Sequence, residues 1–98
     1  MLTAAQREDL NNWKDDLLIN LNRAKAELSS LQREVERLKF RWEVAKGLPE
    51  TPLKQNVVQS TEKDWVKAQN TLNREEFRLN NDIENNGMIL NEIETLLS

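Results

Sequence analysis

The side chains whose spacing could do chemistry are, first, three arginines. Arg33, Arg37 and Arg41 recur at every fourth residue, so on a helix they stack along one line. Lys63 and Lys67 repeat that spacing, and Lys39, Lys46 and Lys54 add charge nearby. Such a ridge is a candidate landing site for phosphates or for an acidic protein. Glu34, Glu36, Glu43, Glu62 and Asp64 are interleaved with it, which reads as an ordinary salt-bridged surface. No aromatic residue is clearly interleaved as a base-stacking platform, and this weighs against nucleic acid as the ligand.

The second charged feature is acidic. From Asp82 to Ser98 the chain carries Asp82, Glu84, Glu92 and Glu94 and no Lys or Arg. This end could bind a basic site on a partner. Paired carboxylates also occur, as Asp15-Asp16, Glu34 with Glu36, and Glu75-Glu76. Adjacent residues on a helix do not face each other, so these pairs are poorly set for acid–base work. There is no histidine and no cysteine, which removes the usual nucleophile–base pairs and transition-metal sites. With only Gly47 and Gly87 available, no glycine-rich phosphate loop can form. The expectation is a protein that is not an enzyme, with no catalytic residue, no metal site and no cofactor.

Two apolar seams define the elements that hold these side chains. The first is Leu10, Leu17, Leu21, Ala24, Leu28, Leu31, Val35, Leu38, Trp42 and Ala45, broken only by Lys14. This heptad spacing predicts one long helix, from about residue 4 to 46. Thr3 and Gln6 have capping-box spacing at its start. Gly47 could take a left-handed position at its end, and Pro49 prevents continuation. Thr51 and Pro52 suit the cap and first position of a second helix, from about 52 to 97. Its seam is Val58, Thr61, Trp65, Ala68, Leu72, Leu79, Ile83, Leu90, Ile93 and Leu97. Glu75 and Glu76 fall where an apolar residue is due, and this reads as a stutter. The linker, residues 47–51, is short enough to force an antiparallel hairpin. A fold about its centre sets Trp42 against Val57 and Val58, Val35 against Trp65, Leu17 against Ile83 and Leu10 against Leu90. It also sets Trp13 opposite Gly87, where a missing side chain would make room for the indole. The seam stays in phase on both sides of Gly87, so the second helix is expected to be continuous.

Apolar residues off the seams point to a further contact. Leu2, Leu18, Ile19, Met88, Ile89 and Leu96 lie near the chain ends, with Phe77 further in. Exposed together they would exceed what monomers ordinarily leave in water. We therefore expect an association surface there, most simply a homodimer that completes a four-helix bundle; the same surface could instead take a partner's helix. The many asparagines fall mostly off the seams and read as a neutral solvated face.

With 98 residues, 32% charged and a net charge of −3, the chain suits one small helical-hairpin domain, residues 1–98, with no global field toward nucleic acid or a membrane. The polar first ten residues do not read as a signal peptide, and no apolar run could span a bilayer. The expected location is the cytoplasm, or the host cytoplasm if the protein is viral. The turn Pro49-Glu50-Thr51-Pro52 resembles the Pro-x-x-Pro turn of type III secretion needle subunits, over those four residues alone. The length and mid-chain Trp42 are similar to small hairpins exported without a signal peptide, but their Trp-x-Gly turn is replaced here by Trp42-Glu43-Val44. These resemblances imply a hairpin and transfer no site. The expected fold is all-α, an antiparallel two-helix coiled-coil hairpin. The expected function is protein–protein interaction, as a small assembly factor, chaperone or inhibitor of the kind that phages and plasmids often encode. The alternatives are a structural subunit of a helical assembly and, last, nucleic-acid binding through the arginine ridge.

Overall fold

The computed structural model of the chain describes residues 1–98. It is an all-α helical hairpin of two elements, α1 (Ala4–Lys46) and α2 (Pro52–Leu97). The start of α1 is fixed by a reciprocal cap. The Gln6 N–H donates to Thr3 Oγ1 at 3.1 Å, and the Thr3 N–H donates to Gln6 Oε1 at 2.9 Å. Two amide donors that the first turn leaves orphaned are thereby satisfied.

The end of α1 differs from expectation. Gly47 does not adopt positive φ. The last turn instead tightens into i→i−3 bonds, Gly47 N–H to the Val44 carbonyl at 3.0 Å and Leu48 N–H to the Ala45 carbonyl at 3.2 Å. Tightening satisfies the terminal carbonyls without a left-handed residue. α2 runs unbroken through Gly87. A Cβ placed on Gly87 would meet nothing within 4 Å. The glycine therefore does not make room for Trp13, and that expected pairing is corrected.

Both seams are buried or half-buried along their whole length, including the slots occupied by Lys14, Glu75 and Glu76. Lys14 fits because its stem lies in the seam while its ammonium reaches Glu94 at 3.9 Å. The pairing across the hairpin is shifted by about one heptad from a fold at the linker centre. Trp42 stacks on Trp65, not on Val57 and Val58. Leu17 clusters with Leu90 and Ile93, and Leu10 packs against that cluster. The cause lies at the beginning of α2. Leu53 and Val57 stay exposed, and burial begins at Val58 apart from the half-covered Lys54. The first turns of α2 are thus used up before its seam meets α1.

By packing the chain divides into two compact units. The terminal unit comprises Met1–Glu27 and Arg78–Ser98, and the turn unit comprises Leu28–Phe77. The core of the terminal unit is aliphatic: Leu17, Leu90 and Ile93, with Leu79 also buried and Ile93 and Leu79 each 1% exposed. The turn unit buries Val35, Ala45 and Leu72. Its central contact is the Trp42–Trp65 stack, with ring centroids 4.9 Å apart and planes 21° from parallel. No helix is long and apolar enough to cross a membrane.

Candidate functional site

In the terminal unit, heptad burial leaves residues beside the seam half in water. On α1 this places Trp13, one position before seam residue Lys14, at the flank of the core. On α2 Ile89 and Leu96, each one position before a seam residue, fall at the flank too. The result is a groove of about 440 Å³ lined by Leu10, Trp13, Met88, Ile89, Glu92, Ile93 and Leu96. Its inner wall is the core itself, through Leu10, Ile89 and Ile93. Its outer edge is exposed, with Trp13 46%, Leu96 46% and Met88 62% accessible. Six of the seven lining residues are apolar, and Glu92 is the one charged group.

The association surface expected from sequence is thus split. Met88, Ile89 and Leu96 come together in the groove. Leu18, Ile19 and Leu2 do not line it. Ile19 lies about 200° around the helix from buried Leu17, which directs it away from the core, and it is 57% exposed. Leu18 is exposed, and Leu2 is half-buried near the chain start. Phe77 is 81% exposed and belongs to the turn unit. Trp13 is the residue that sequence reasoning misplaced. Its position one step off the seam was the available signal.

In the arginine ridge, Arg37 is ion-paired to Glu34. Arg37 donates through Nε to Glu34 Oε2 at 3.0 Å and through a second guanidinium nitrogen to Glu34 Oε1. That hydrogen bond, helped by the charges of Arg37 and Arg41, holds the Glu34 carboxyl below the ordinary carboxylate value and raises the Arg37 guanidinium in turn. A cleft of about 450 Å³ brings Arg37, Arg41 and Lys67 beside Glu34 and Asp64. Arg33 and Lys63 do not line that cleft. Lys63 borders a separate hollow with Val66, Asn70 and Arg74. Across the turn unit nine Lys and Arg face eight Asp and Glu.

Two further lysines sit on the tryptophan pair. Lys46 Nζ lies 3.7 Å from the Trp42 ring centre and Lys39 Nζ lies 5.9 Å from that of Trp65. Cation–π contacts of this kind contribute about 0.5–2 kcal/mol. Rings already stacked on each other and topped by ammonium groups form a poor platform for a nucleobase. Both indole N–H groups are buried without an acceptor, which carries a desolvation cost.

The acidic end is only partly free. Asp82 reaches Arg78 at 3.8 Å, and Arg78 also donates to Glu27 Oε1 at 3.2 Å. Glu94 is engaged by Lys14. Glu84 and Glu92 have no ion partner. No group of three carboxylates converges to hold a metal ion. The chain shows no match to a known protein family, to a curated protein or to a solved structure.

Proposed function

We propose that the chain is a non-enzymatic protein–protein interaction module that uses the groove of the terminal unit to hold another protein. The observation that carries this reading is the convergence of exposed Trp13, Met88 and Leu96 on one apolar groove. Tryptophan supplies large contact area at few rotatable bonds and dominates many interfaces. Methionine adapts its shape to what it meets. The turn unit, with its lysine-capped tryptophans and balanced charge, acts as the scaffold that closes the hairpin.

The test is capture from native-host lysate by the immobilised chain. A specific partner should be retained by the wild type and by Ile19→Ser, and lost with Trp13→Ser and Met88→Asp. Circular dichroism checks that all three variants remain helical. Equal retention by Trp13→Ser, Met88→Asp and the wild type would remove the groove from the account.

A further inference from the structure

The groove has a charge as well as a shape, and the charge identifies what fills it. Nine Asp and Glu in the terminal unit face five Lys and Arg. The imbalance reaches the groove. Glu92 lines it. Asp9 and Asp16 stand four residues before and three after Trp13, and that spacing sets them on the same face of α1 as the indole. Asp9, Asp16 and Glu92 have no ion pair within the chain. The nearest seam cation, Lys14, is turned to Glu94.

Resting on the groove reading above, we infer that the occupant is a basic amphipathic helix of another protein. Its apolar stripe would lie over Trp13, Met88 and Leu96, and Lys or Arg along its polar flanks would meet Asp9, Asp16 and Glu92. A helix is the form that presents apolar side chains at i, i+3, i+4 and i+7 to a groove between two helices. Complementary charge speeds encounter and fixes register. A second copy of this chain is the poorer occupant, because pairing two terminal units brings two negatively charged surfaces together.

The test uses two labelled synthetic helices with one apolar stripe, one with Lys and one with Glu at every polar position, titrated against the full chain by fluorescence anisotropy. The Lys peptide should bind at least about tenfold more tightly than the Glu peptide at low salt, with the ratio shrinking as added salt screens it. Asp9→Asn, Asp16→Asn and Glu92→Gln combined should move the ratio toward one, while Trp13→Ser should weaken the Lys peptide with helicity unchanged. A ratio that the triple variant leaves untouched overturns the inference. Equal binding of both peptides, lost in Trp13→Ser, overturns the charge assignment and leaves the groove reading standing. No binding of either peptide overturns the inference. If light scattering then finds a dimer that Trp13→Ser dissociates, the occupant is a second copy. If it finds a monomer with and without that substitution, the groove reading loses its support as well.

Discussion

The two units of this hairpin solve the same packing problem with different side chains, and the terminal unit gathers exposed Trp13, Met88 and Leu96 on one groove. The terminal unit buries Leu17, Leu79, Leu90 and Ile93. These side chains need no hydrogen bonds, and the one polar residue of the α1 seam, Lys14, sends its ammonium out to Glu94. The turn unit places Trp42 and Trp65 face to face, each too wide for a narrow seam and each carrying an N–H without an acceptor. Lysines cover the rings where neighbouring helices would be in a larger protein. Exposed apolar residues occur in the turn unit too, such as Phe40 and Val66, but Val66 is bordered by Lys63, Lys67 and Arg74. In the terminal unit they adjoin one another and continue into the core. It is this contiguity with a packed core, not surface hydrophobicity by itself, that supports the function proposed for the groove.

The difference between the two units should be greatest at the core. Ile93→Ala removes a fully buried side chain and should cost about 2–4 kcal/mol in denaturant unfolding. Trp65→Phe in the turn unit should cost about 1 kcal/mol or less. It gives up area but also removes a buried donor that has no acceptor. It should also abolish the near-ultraviolet dichroism of the coupled indoles, a signal that Trp13→Phe leaves in place. If Trp65→Phe proved the costlier change, the aromatic stack would be the principal core. Gly87→Ala should stabilise the terminal unit by about 0.5–1 kcal/mol, since the added methyl meets open space in a helix interior. Destabilisation would mean that Gly87 is a hinge.

The smallest effect belongs to Glu34. Its carboxyl is held below the ordinary value by Arg37, so the folded state binds its proton less readily than the unfolded state. Its contribution is present above the unfolded-state value and is lost as pH falls through the folded-state value. The group is half-exposed, and solvent screening should keep the effect slight. The difference in helicity between wild type and Glu34→Gln should vanish on acidification and persist at neutral pH.

Much of the fold was legible in the residues because heptad spacing, capping pairs and proline act locally. Thr3 with Gln6 and the slots from Leu10 to Ala45 needed only neighbours along the chain to be read. The register was less legible. It depends on how many residues the turn consumes before the helices touch, and the linker does not say that Leu53 and Val57 will remain outside the seam. The groove was half legible: Met88, Ile89 and Leu96 could be read as spare apolar residues. Trp13 falls opposite Gly87 only in the wrong register, and Leu18 and Ile19 share the end where the two termini meet, whereas the helix turns them away from the groove. The tryptophan stack was hidden for the same reason, since a one-heptad error sets each indole against a valine.

In the function proposed above, recognition belongs to the terminal unit and the turn unit is scaffold. The three tryptophans report on it directly, one in the first and two in the second. In a nitrogen–proton correlation spectrum of the full chain, three indole signals can be followed as the Lys-rich helical peptide is added. The Trp13 signal should move in proportion to binding while those of Trp42 and Trp65 stay in place. Movement of Trp42 or Trp65 with Trp13 unmoved would move the binding site to the turn unit and leave the groove without a role.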